Sequence, residues 1–245
     1  MLDSAVDRVM ADGIGAGLEH IRLEDAVRDA DVSRTGAYRC WSNRDDFLAD
    51  LLAALAEHAL PIRSTRSARA TEVIRDAVGR DTTELRTSAG RRAALRRAVL
   101  ASANDDLLAD RDERERWRLY LTLAMATPTL DGAAHDHVAT AVARAENAVL
   151  DRLANNYRRM FELFGFGSRV PFRELAGIGL ALMRGYVIGD HAGSGVSGPG
   201  DAYALLVDAA ATPEGPDDWD EARARTLLDD LARIDAFNID TFDTV

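Results

Sequence analysis

Between Val32 and Arg44 the chain carries three arginines and no acidic residue, although residues 1–61 as a whole hold six Arg against twelve Asp and Glu. A short cationic stretch inside an acidic module is the charge footprint of a surface that meets nucleic acid. The chemistry open to it is recognition. Arg34 can donate two parallel N–H bonds to O6 and N7 of a guanine. Val32, Ala37 and Trp41 fall on the core-facing side of a short helix here, which leaves Arg34, Thr35 and Gly36 outward. Catalysis finds less support: there is no nucleophile–base pattern, no phosphate-cradling glycine loop after a strand, and no carboxylate–histidine metal spacing. His135 and His137 stand two residues apart, which on a helix aims them at different faces, so they read as a solvated helix start rather than a metal pair. No cofactor is implied.

Such a surface needs elements to hold it. Leu23, Ala26, Val27 and Ala30 recur at the spacing of a one-faced helix, and Ser33 is the expected cap of the next, very short one. The tight turn between them makes a helix-turn-helix, in which the second helix lies in the major groove. Before it, Leu2, Val6, Val9 and Met10 predict a first helix ending at the glycines from Gly13 to Gly17. After it, Ser42 and Asn43 offer a cap for a helix that Pro61 stops, with Asp45 and Asp46 well placed in its first turn. Long helical periods follow at about 68–87, 91–109, 113–126, 135–164 and 171–190, and a leucine-striped helix at 219–234. Gly193–Gly200 and Thr212–Asp218 read as connections. No strand alternation stands out. The fold class is all-α: a three-helix DNA-binding module over 1–61 and a larger helical domain over 62–245.

Residues 23–48 resemble the TetR family of transcriptional regulators, without a gap. Val32-Ser33, Tyr38, Asn43-Arg44 and Phe47-Leu48 stand where that signature has valine-serine, tyrosine, a Ser or Asn before lysine, and a large apolar pair. The resemblance implies that Ser33, Arg34 and Thr35 occupy base-reading positions, with Gly36 and Arg39 on the same short helix. It implies that Tyr38 contacts a phosphate, and that Arg44, in the place of the lysine, holds another at a helix N-terminus. Arg22 replaces the usual capping hydroxyl and adds a possible phosphate contact. Asp31 replaces the turn glycine, Ala26-Val27 inverts a large-then-small pair, and Gly36 replaces a frequent threonine. The segment from Met10 to Leu23 runs about three residues longer than the family pattern, and no basic arm precedes the first helix.

The family also implies a ligand-responsive repressor that binds palindromic operator DNA as a homodimer. Its larger domain would take a small, mainly apolar effector, with Trp117, Tyr120, Tyr157, Phe161 and Met183 as lining; residue by residue, core packing is the default reading, and the shared pocket is what the resemblance implies. The helices at 171–190 and 219–234 carry more small and apolar surface than one helix needs, and so are expected to pair with those of a second copy. Gly185 and Gly189 read as close-packing positions, and the ten arginines between Arg63 and Arg97 as a solvated face. With a net charge of −11, wholesale nonspecific nucleic-acid binding is disfavoured. No run is long and apolar enough for a membrane span, the N-terminus lacks a secretory pattern, and the single cysteine, Cys40, precludes an intrachain disulfide. A cytoplasmic protein is expected. The rival reading is an all-helical enzyme or protein–protein adaptor with an incidental helical hairpin.

Overall fold

The computed structural model describes residues 2–12, 23–29, 33–41, 43–59, 68–108, 111–130, 132–191 and 199–233. They form helices α1 (Leu2–Asp12), α2 (Leu23–Asp29), α3 (Arg34–Cys40), α4 (Arg44–Ala59), α5 (Ala68–Val78), α6 (Thr82–Leu85), α7 (Ser88–Leu108) and α8 (Arg111–Ala126). A 3-10 turn (Thr127–Thr129) precedes α9 (Gly132–Leu163), β1 (Phe166–Ser168), α10 (Phe172–His191), α11 (Gly200–Ala210), β2 (Ala211–Pro213) and α12 (Glu221–Arg233). The chain divides into two compact units, one of residues 1–61 and 112–149, the other of 62–111 and 150–245.

In the first unit α1 packs on α4 and α2, and α2 on α3. The inward residues are Ala5, Val6, Val9, Ala26, Val27, Ala37, Phe47, Leu51 and Leu55, all buried. Farther along the chain, Trp117 and Tyr120 of α8 meet edge to face, and the Tyr120 hydroxyl donates to Glu146 of α9 at 2.9 Å.

The second unit is built around α7, which packs against α5 and α11, while α12 lies on α5 and α6. Its core draws Ile74, Leu85, Leu95, Phe161, Phe164, Phe166, Leu175, Val207, Trp219 and Leu227 from nearly every element. One cation sits among them. Arg91 is fully buried, and its guanidinium donates to the carbonyls of Leu85, Arg86, Phe164, Pro216 and Asp217. Its guanidinium carbon lies 4.1 Å from the centre of the Trp219 ring. Burial lowers its pKa from the ordinary value and Arg223 adds to that, against the pull of Asp217 and Asp218. Arg97 closes the end of α5 by donating to Ala77 O and Val78 O, and grips Glu84 through two nitrogens at 2.9 and 2.8 Å. That bond raises its pKa.

Four findings depart from the sequence expectations or add to them. The period over 68–87 is not one helix: Gly79, at φ +79°, donates to Arg75 O and ends α5, and Asp81 caps α6 by accepting from Thr83 N. Left-handed backbone is the usual helix terminator and favours glycine. Secondly, a small antiparallel sheet is present, with Phe166 opposite Pro213 and Ser168 opposite Ala211. Gly165, at φ +75°, makes the turn out of α9, and its N–H closes on Glu162 O. Thirdly, residues 200–210 form α11, beside α10. Fourthly, the apolar stripe of α12 is covered within the chain, since Ala224, Leu227 and Leu231 belong to this unit's core.

Candidate nucleic-acid interface

The short α3 is fixed by its two ends. Ser33 has extended backbone, and its Oγ accepts from Gly36 N at 3.1 Å, satisfying one of the donors a helix start leaves open. At the other end Trp41 N donates to Ala37 O at 2.9 Å while its own backbone is extended, which stops the helix. Trp41 also meets the buried Phe47 at nearly a right angle, centroids 5.3 Å apart, and its indole N–H donates to Asp50 Oδ2 at 2.8 Å. Asn43 starts α4 by accepting from Asp46 N at 2.9 Å and donating to the Asp46 carboxylate.

Between these anchors one face is buried through Ala37, and the other is open. Ser33, Thr35, Gly36, Tyr38 and Arg39 are exposed, as are Cys40 beyond them and Arg44 in the first turn of α4. An added Cβ on Gly36 would lie 3.0 Å from Ser33 Oγ, so the bare glycine leaves the capping oxygen undisturbed. The Tyr38 hydroxyl donates to Glu24 Oε1 of α2 at 3.3 Å, and on α2 Arg28 pairs with Asp25 at 2.9 Å. Arg34 opens α3 by its backbone; its side chain, and Arg22, Asp31 and Val32 entirely, lie outside the described residues. The structure thus brings Ser33, Thr35, Gly36, Tyr38, Arg39 and Arg44 onto two consecutive elements and their shared turn.

The residues named for an apolar pocket fall in both units. Trp117 and Tyr120 are buried in the first; Tyr157, Phe161 and Met183 belong to the second. Phe161 is core, edge-on to Phe172 with centroids 5.5 Å apart, and Tyr157 is half-buried against the same cluster. Gly179 of α10 lets Tyr157 approach: a Cβ there would lie 2.4 Å from the Tyr157 hydroxyl. The Tyr203 hydroxyl donates to Gly179 O.

Sequence reasoning gave no role to three residues that touch α3 or its C-terminal cap directly or through one another. Glu24, Asp50 and His137 have no motif, and Asp50 meets its partners across long sequence separations that no helical spacing rule covers. The two histidines prove to face different carboxylates, His135 with Asp136 and His137 with Asp50, each at 3.2 Å. Among the described residues no group of three or more His, Cys, Asp or Glu is arranged to hold a metal, and no helix is long and apolar enough to cross a membrane.

No protein-family model and no curated protein matches the chain. Among solved structures, the chain is similar to a protein of unknown function from Rhodococcus sp. RHA1, 19% identical, with 95% of each chain covered and a TM-score of 0.41. At that degree of likeness it bears on neither fold nor function.

Proposed function

We propose that this chain is a DNA-binding transcriptional regulator of the TetR type, which binds palindromic operator DNA as a homodimer and is released by a small, mainly apolar effector. The observation that carries the reading is α3: a seven-residue helix, capped by Ser33 and stopped by Trp41, with Ala37 inward and Thr35, Gly36 and Arg39 outward. Arg34 and Thr35 read base edges; Tyr38 and Arg44 hold phosphates and set the register. Contact with a phosphate would draw the Tyr38 hydroxyl from Glu24.

The homodimer is supported by a row on α10 and its neighbour α11. Ile178, Ala181, Gly185 and Ile188 are exposed at helical spacing, with Ile178 at 47% and Ile188 at 56%, and Leu205 of α11 is 61% exposed. An added Cβ on Gly185 meets nothing within 4 Å. A second copy across a two-fold axis covers the row and supplies the second head that a palindrome requires. The effector acts in the larger domain and shifts the balance between conformations of different DNA affinity.

Fluorescence anisotropy with duplexes from the DNA upstream of the chain's own gene tests the reading. Saturable binding to one of them, at least a hundredfold tighter than to a scrambled duplex at about 0.15 M salt, is the expected result. Equal affinity for both duplexes overturns it.

A further inference from the structure

The open end of α3 is held by one carboxylate that also holds a third helix. Asp50 Oδ2 accepts from the Trp41 indole at 2.8 Å, and its other oxygen, Oδ1, lies 3.2 Å from His137 Nε2 near the start of α9. All three residues lie in the first unit. Trp41 has little freedom of its own, being fixed by its backbone bond to Ala37 and its packing on Phe47. A change in how Asp50 is shared is therefore felt at the last turn of α3.

We propose that Asp50 is a positioning residue for the reading helix, and that the charge on His137 governs how firmly it couples α9 to Trp41. A protonated imidazole gives Oδ1 a charge-assisted donor; a neutral ring gives only the weaker, uncharged N–H of its Nε2 tautomer. The same carboxylate serves the indole, so the two hydrogen bonds polarise one another. The solvent reaches the joint, with the His137 side chain 53% and that of Asp50 46% exposed, so protons exchange freely and the contact remains adjustable. Among the described residues, charged groups close to it along the same two helices include Asp46, one turn back on α4 and engaged with Asn43, and Asp136 and His135 on α9, engaged with one another. The consequence for DNA rests on the reading of α3 given above; the joint itself does not.

The test labels the three tryptophans of the full chain with nitrogen-15 and follows their indole N–H resonances. The Trp41 signal is identified as the one lost in Trp41→Phe. Between about pH 8 and about pH 5.5, where imidazoles gain charge, it should titrate. It should stop titrating in His137→Gln and keep doing so in His135→Gln. Asp50→Asn retains an oxygen for the indole but no charge for the imidazole, and should keep a folded chain with a static Trp41 signal. A Trp41 resonance that stays fixed across this range in the unaltered chain, or that titrates equally in His137→Gln, overturns the proposal. Anisotropy with the upstream duplex is run in parallel. A titrating Trp41 in a chain that binds no duplex would remove the DNA reading and leave the joint; a bound duplex with a static Trp41 would do the reverse.

Discussion

Single side chains divide here into those that shape α3 and those that the proposed function sets against DNA, and substitution separates them. Ser33→Ala removes the oxygen that caps Gly36 N, which should lower stability by about 1 kcal/mol in urea unfolding, whatever DNA is present. Arg34→Ala should weaken operator binding by about 1–3 kcal/mol per half-site and leave scrambled duplex nearly unaffected, because base contacts carry the sequence information. Arg44→Ala should weaken both duplexes alike and flatten the dependence on salt. An unchanged specificity ratio in Arg34→Ala, measured over a salt series, would remove α3 as the reading element. Arg91 belongs to neither class. Five carbonyls lose their donor together in Arg91→Leu, and buried acceptors without partners are costly, so a loss of at least about 3 kcal/mol is expected in thermal unfolding. Arg91→Lys, with fewer donors and no planar fork, should fall between.

Among elements, two glycines of similar backbone give a controlled comparison. Gly79 ends α5 at φ +79° with open space where a Cβ would stand; Gly165 ends α9 at φ +75° with the Trp219 ring 2.6 Å from that position. Gly79→Ala should therefore lose only the left-handed penalty, roughly 1–2 kcal/mol. Gly165→Ala must also displace Trp219 from beside Arg91, so its midpoint in urea should fall much further; equal losses would mean that the ring moves aside freely. The same positions explain what the sequence made legible. The cap at Ser33 and the start of α4 at Asn43 were readable because their hydrogen bonds span three residues. The break after α5 was obscured because Ile74, Val78 and Leu85 keep helical phase across it. The strands, three residues each, are too short to show alternation, and β1 owes its place to pairing with β2 far along the chain. The helix at 200–210 did leave a trace, Tyr203, Val207 and Ala210 on one face, which the glycine-rich run before it overshadowed. The Asp50 joint left none, for its geometry exists only after α4 and α9 have met.

At the scale of the molecule, the exposed row on α10 and α11 makes assembly the measurable quantity. If the proposed homodimer forms through this row, Ile178→Asp together with Leu205→Asp should leave the fold intact and give a monomer by light scattering at micromolar concentration, with operator affinity lost because a single protomer would not span two half-sites about 34 Å apart. A variant that stays dimeric would place the contact elsewhere. With twelve acids in residues 1–61, DNA affinity should also fall steeply as salt rises. The carbonyl cage around Arg91 has a further consequence, in time rather than space. A nascent chain folds from its N-terminus as it emerges, and the first unit has all its segments by residue 149. Arg91 emerges early, yet two of its acceptors, on Pro216 and Asp217, are made much later. Until the ribosome has delivered them, α7 carries a cation whose cage is incomplete, so the second unit should close after the first.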